Sequence, residues 1–161
     1  MPVRSRITPF LWLEHSAESA ARFYCSLFPN SAIEQFVRLP EPSPSGDAVA
    51  SVTFVLDGLP LIAFNGGPHF RLNEAFSLQV DCADQAEVDR LWEALTTDGG
   101  QAGHCGWLVD RFGVSWQIVP RGLIELLSDP DRGRSSRATQ AMFGMSKLDI
   151  AELHRAADAN D

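Results

Sequence analysis

The stretch Cys105-Gly-Trp-Leu-Val-Asp-Arg-Phe-Gly-Val-Ser-Trp-Gln-Ile-Val-Pro120 decides how the chain is read. It predicts two strands, residues 107–110 and 114–119, around a tight turn of Arg111, Phe112 and Gly113. Gly113 takes a positive φ at no steric cost. In the second strand Val114, Trp116 and Ile118 point one way, and Ser115, Gln117 and Val119 the other. The first set suits a core. The second carries an amide and a hydroxyl, which suit a cleft. Pro120 ends the strand, because it has no N–H to give to a ladder.

This hairpin closes the second of two related modules. Upstream of it, residues 75–82 alternate cleanly: Phe76, Leu78, Val80 and Cys82 against Ala75, Ser77, Gln79 and Asp81. Asp84 with Glu87 makes an Asp variant of the capping box. The helix it opens carries Val88, Leu91, Trp92 and Leu95, and Gly99-Gly100 ends it. The same stripe, Ala20, Phe23, Tyr24 and Leu27, occurs 68 positions earlier, after a strand over 7–14 and a capping position at Ser16. A strand over 32–38 follows, then a loop over 40–46 whose three prolines cannot hold a ladder. Residues 48–56 and 59–64 form a hairpin about Asp57-Gly58. Both halves read strand, helix, strands, so the chain is a degenerate duplication of a βαβββ unit. Beyond it lie a short apolar run over 123–127, a helix entry at Ser128-Asp-Pro-Asp131, the stripe Ala138, Ala141, Met142, Met145, and a last helix over 148–157.

Composition sets bounds on function. The chain has 161 residues, 45% hydrophobic and 21% charged, which suits one domain or two small modules sharing a core. A net charge of −8 argues against a nucleic-acid surface or an anionic membrane face. No apolar run approaches bilayer length, and Met1-Pro-Val-Arg-Ser-Arg-Ile7 has no signal-peptide pattern. Cys25, Cys82 and Cys105 are odd in number and widely spaced, the pattern of reduced thiols. A cytoplasmic protein is expected, without nucleic-acid or membrane partners.

Two βαβββ modules are also the plan of the vicinal oxygen chelate superfamily, the glyoxalase and bleomycin-resistance fold. The segments Thr8-Pro-Phe-Leu-Trp-Leu13, Ala21-Arg-Phe-Tyr24, Phe64-Asn-Gly-Gly-Pro-His-Phe70, residues 76–92, Cys105-Gly-Trp107 and residues 110–120 resemble its PhnB-like branch, as do Asp129-Pro-Asp131 and Gln140-Ala-Met142. That branch often carries the label 3-demethylubiquinone-9 3-methyltransferase. The resemblance covers residues 5–155. It implies an α+β fold: an open, curved mixed sheet of about eight strands around a cleft, four from each module, with helices on the convex side. The expected layout is a single domain over 1–161, with module one at 5–70, module two at 74–120 and a C-terminal helical extension at 121–161.

Metal-dependent members of the superfamily hold a divalent ion with His, Glu or Gln on the first, fourth, fifth and eighth strands. Carried onto this chain, those positions fall near Pro9 (Thr8 if the register slips by one), on Leu61-Ile-Ala-Phe64, near Ala75 and at Gln117. Only Gln117 has a donor of the right kind, and a lone amide is a poor anchor. No metal and no cofactor are therefore expected. Ser77, Gln79, Ser115 and Gln117, on the polar faces of strands five and eight, are the first candidates for contacting a small ligand. Trp12 and Trp107 fit either a core or an aromatic cleft wall. His69, after Gly66-Gly67-Pro68, could touch a ligand, act as acid or base, or cap backbone. Adjacent His104 and Cys105 would point to opposite strand faces, which favours a structural thiol. His15 and His154 read as surface residues, and Asp110 as an acceptor of backbone N–H groups in its turn.

No catalytic residue is assigned. Two readings stand: a metal-independent protein that binds an unknown small molecule, and an enzyme of the same fold, including the methyltransferase of the label. The absence of a glycine-rich turn after a parallel strand counts against the usual adenosylmethionine site. A homodimer is expected, because paired modules of this superfamily commonly complete clefts between chains. The stripe outside the duplicated unit would sit at or near that interface.

Overall fold

Strand alternation and helical stripes produce two compact units in the computed structural model, Met1–Leu72 and Asn73–Asp161. The structure describes residues 6–41 and 43–159. The architecture is α+β, two βαβββ modules followed by helices, and the eight strands fall into two mixed sheets of four.

In the first unit, β1 (Phe10–Leu13), α1 (Ala17–Leu27), β2 (Ala32–Val37), β3 (Ser51–Leu56) and β4 (Leu59–Asn65) give a sheet of order β1-β4-β3-β2. β1 and β4 are parallel and the other neighbours antiparallel. Asp57 and Gly58 both take positive φ (46° and 82°), the geometry that the two-residue hairpin requires. Leu11, Leu13, Val52, Phe54, Leu61 and Ala63 are buried together with Ala17, Ala20, Ala21 and Tyr24 of α1. The start of α1 is capped from a distance. Ser16 occupies the N-cap position with φ 78° and makes no capping hydrogen bond. Asn65 replaces it: its Oδ1 accepts from Ala17 N (2.8 Å) and its Nδ2 donates to the Val49 carbonyl (3.0 Å). The expectation that Ser16 caps α1 is therefore corrected. A left-handed backbone turns its hydroxyl away, and a buried amide from β4 takes over the N–H.

In the second unit, β5 (Leu78–Cys82), α2 (Gln85–Thr96), β6 (Gln101–Ala102), β7 (Trp107–Val109) and β8 (Ser115–Pro120) repeat the order as β5-β8-β7-β6, with β5 and β8 parallel. The capping box forms: Asp84 accepts from Glu87 N (2.9 Å), and Glu87 accepts from Ala83 N (2.7 Å). The duplication is real, but its spacing is one residue tighter than the helical stripes suggest. The buried positions are Ala21, Tyr24 and Phe28 in the first unit against Val88, Leu91 and Leu95 in the second. Phe23, Leu27 and Trp92 are only half-buried.

The hairpin turn is built on Asp110, which is 3% exposed. Its carboxyl accepts from Phe112 N (2.8 Å), Val114 N (3.1 Å) and Trp116 Nε1 (2.8 Å). One side chain thus satisfies two turn amides and the indole of the largest fully buried residue.

The tail completes the second unit. α3 (Leu123–Leu127), α4 (Arg132–Phe143) and α5 (Ile150–Asp158) share a core of Leu123, Leu126, Ala138, Leu148, Leu153 and Ala157 with Val119. Asp131 caps α4, and the Arg137 guanidinium donates twice to the Ala157 carbonyl. Gln85 at the start of α2 holds the segment before α5, donating to the Leu148 carbonyl (2.9 Å) and accepting from Ile150 N (3.1 Å). Lys147 pairs with Asp89 at 2.7 Å. Ala138 is fully buried, and Ala141, Met142 and Met145 pack against this same core. The stripe expected at or near a dimer interface packs against its own chain, with Ala141, Met142 and Met145 left half-buried. No helix among the described residues is long and apolar enough to cross a membrane.

Replacing Asp110 by Ala strands two amides and an indole N–H in the interior. Urea unfolding of Asp110→Ala is expected to show a loss of roughly 3 kcal/mol, since each buried donor left unmade costs about 1–3 kcal/mol. A loss within 0.5 kcal/mol of zero, the usual range for a surface substitution, would remove Asp110 from this role.

Candidate functional site

In each unit the helix covers one face of the sheet, and the residues of opposite parity line the other. On β1 and β4 the open-face pairs are Phe10 with Ile62 and Trp12 with Phe64. In the second unit, Gln79 is paired with Gln117, which is paired with Trp107. Ser115, opposite Val109, shares this face, and Ser77, just before β5 rather than in the strand expected over 75–82, meets it through Gln117. The parallel pair is therefore apolar and aromatic in one module, and polar in the other, where the exposed Asp81 is its one charge.

The aromatic set is held by a glycine. Trp12 Nε1 donates to the Gly67 carbonyl (3.0 Å), which lays the indole across Gly66. A Cβ at Gly66 would lie 2.2 Å from Trp12 Cε2. Phe64 and Phe70 meet the indole edge-to-face, with centroids 5.2 and 4.9 Å away, and Phe10 is 5.5 Å from Phe64. Phe10 and Phe70 are 55% and 58% exposed. His69 is exposed and packs against Phe70 at 4.5 Å. Phe10, Phe64 and Phe70 were not among the sequence candidates. Their signal was the parity of Trp12 along β1 and β4.

The polar set is partly fixed. Gln117 Nε2 donates to Ser77 Oγ at 2.9 Å. Gln79 is exposed, while Trp107 and Gln117 are half-buried. Ser115 is 2% exposed, and its hydroxyl has no hydrogen-bond partner among the described residues. It lies beneath the surface that a ligand would meet. Gln79 borders a depression of about 320 Å³ that extends to α3, and Trp107 borders another of about 150 Å³. The structure thus groups the sequence candidates into two sets, Trp12 with His69 and Ser77, Gln79, Trp107, Ser115 with Gln117.

The other candidates resolve individually. His154 and His104 are exposed. Cys105 sits in a turn with φ 55°, not on a strand, and its Sγ lies 3.5 Å from the Met142 carbonyl. Burial, reinforced by Glu87 and Asp81, pushes the Cys82 thiol up to about 12, so it is inert at neutral pH. All three cysteines are free. His15 is on the surface but paired: its Nδ1 is 3.0 Å from Asp47. The Ser45 hydroxyl, with His15, holds the Asp47 carboxyl below its ordinary range.

The divalent ion of the superfamily finds no donor set here. The open-face residues of β1, β4 and β8 carry no carboxylate and no imidazole, and β5 carries one carboxylate, Asp81, exposed and paired with Arg121 at 3.5 Å. Thr8, Pro9 and Ala75 lie outside the strands. Gln117, which could offer a metal only its Oε1, donates Nε2 to Ser77 Oγ. No group of three His, Cys, Asp or Glu among the described residues could hold a metal ion.

A family model described as 3-demethylubiquinone-9 3-methyltransferase matches residues 5–119. A protein from Bacillus cereus described as a putative 3-demethylubiquinone-9 3-methyltransferase, PhnB protein, is 33% identical; the match covers 72% of this chain and 99% of that one, with a TM-score of 0.66. Protein PA1353 from Pseudomonas aeruginosa is 22% identical over 73% of this chain and 98% of that one, with a TM-score of 0.61. The fosfomycin resistance protein FosX from Listeria monocytogenes shares the fold at 13% identity, over 76% and 98% of the two chains, with a TM-score of 0.51. No curated protein is a significant match.

Two substitutions test the packing of the faces. Gly66→Ala forces the indole out of its place and is expected to cost roughly 2 kcal/mol, the usual scale for an added group in a filled site. Ser115→Ala removes an unsatisfied hydroxyl and is expected to stabilise by about 1 kcal/mol. Thermal unfolding reads both, and a Ser115→Ala variant that melts below the parent contradicts the unpaired state of the hydroxyl.

Proposed function

Because the chain belongs to the 3-demethylubiquinone-9 3-methyltransferase family, the PhnB-like branch of the vicinal oxygen chelate superfamily, we propose that it binds a small molecule without a divalent ion. The observation that carries this reading is the chemistry of the open-face positions. At the positions carried over from chelating members this chain has Pro9 (or Thr8), Leu61-Ile-Ala-Phe64, Ala75 and Gln117, and its open faces present mainly Trp12 and Phe64 in one module and Gln79 and Gln117 in the other. Aromatic rings and amides bind by contact, stacking and hydrogen bonds. They do not polarise a substrate as a Lewis acid does. Trp12, His69, Ser77, Gln79, Trp107, Ser115 and Gln117 remain the residues proposed for the ligand, with Ser115 reached only if its cover moves.

A second reading has one observation in its favour, the description of the family model. Under it, the chain transfers a methyl group to a demethylated quinol. Incubation with methyl-labelled S-adenosylmethionine and such a quinol tests it, and labelled product above the level of a heat-inactivated control would establish it.

We also propose a cytoplasmic homodimer. The three free thiols suit a reducing compartment. The dimer rests on the superfamily plan, and the half-buried Ala141, Met142 and Met145 with the exposed Ile124 and Phe143 leave apolar surface on the tail for it. Light scattering at micromolar concentration is expected to give twice 17.7 kDa, and a monomer mass would refute it.

Elemental analysis of the purified chain is expected to find Zn, Ni, Mn and Fe far below one per chain. About one such ion per chain, lost in Gln117→Ala, would overturn the metal-independent reading.

A further inference from the structure

Gln79, Gln117 and Trp107 stand in one row across β5, β8 and β7. Neighbouring strands are about 4.8 Å apart, so two side-chain amides lie side by side next to an indole. We propose that this row recognises a flat, uncharged molecule with an amide or imide edge, its ring lying against Trp107. The proposal rests on the small-molecule reading above and narrows it to one chemical class.

Three observations point to that class. An amide offers a donor and an acceptor together, and its best complement is another amide edge, as in a lactam or imide. Here two are presented in register, and Ser77 already restrains one of them at 2.9 Å. That restraint lowers the entropy lost on binding. Beside them the half-buried Trp107 offers a flat apolar surface for a ring. Charge decides the rest. Among the described residues lining the depressions next to Gln79 and Trp107, the single cation is Arg121, paired with Asp81 at 3.5 Å. Asp81, Glu125 and Glu74 line the same depressions. An anion would lose hydration there and meet repulsion. A cation would find Asp81, the next residue of this face after Gln79, already paired with Arg121 and exposed to solvent that screens it.

Three probes of one shape separate the possibilities: 2-naphthamide, 2-naphthoate and 2-naphthylmethylammonium, titrated calorimetrically into the full chain. Naphthamide is expected to bind about tenfold more tightly than either charged probe, a difference of about 1.4 kcal/mol. Gln79→Ala, an exposed substitution that leaves the core intact, is expected to weaken naphthamide about tenfold, as for one lost hydrogen bond of ordinary strength. A charged probe that binds as tightly as naphthamide, or Gln79→Ala without effect, overturns the amide-edge class and leaves the small-molecule reading standing. Binding of none of the three overturns both for this face.

Discussion

Each module depends on one constraint, the pairing of its two parallel strands under a single helix. Side chains alternate along a strand, so the register that sends Leu11 and Ala63 toward α1 must send Trp12 and Phe64 the other way. The same register in the second unit buries Trp116 and presents Gln117. A slip by one residue would exchange the two faces entirely. Core and candidate site are therefore not independent designs. The apolar half of each strand holds the polar or aromatic half in place, and Asp110 secures the hairpin on which the second register depends.

How much was legible follows the range of the interactions. The hairpin, the Asp57-Gly58 turn and the Asp84–Glu87 box are local, and the residues that specify them are neighbours in sequence. They emerged as read. The duplication was legible too, but its spacing was not. Adjacent aromatics at Phe23-Tyr24, and Leu91-Trp92 in the other helix, let either member of each pair be taken as the inward one. Packing against Phe54 selected Tyr24, which is fully buried. Asn65 capping Ala17, and Gly66 making room for Trp12, join residues that lie 48 and 54 positions apart. No local pattern announces them. The tail was legible in part for a related reason: its stripe showed that something must cover it, and only the fold could show that Ala138 is buried within the chain while Ala141, Met142 and Met145 stay half-buried.

The candidate site was legible in kind more than in arrangement. Parity along β8 correctly separated Trp116 from Gln117. Parity could not reveal that Ser115 lies under cover, because burial of a face depends on what packs over it. The aromatic set around Trp12 needed the pairing of β1 with β4, and two segments fifty residues apart disclose no register until they meet. The chemistry then differs between modules in a simple way. One parallel pair favours dispersion and ring contact, and the other favours directional hydrogen bonding.

Gln85 has a consequence of another kind. Its side chain spends both halves of its amide on the main chain around α5, accepting from one N–H and donating to one carbonyl, as a neighbouring strand would. The start of α2 and the start of α5 are thereby spliced through a single residue. Local opening of the tail must break that splice. The Ile150 amide consequently reports, in hydrogen exchange, on the cohesion of two segments that the chain itself separates by more than sixty residues. A module copied without its tail would leave the same glutamine only its helix neighbour Asp89 to hold.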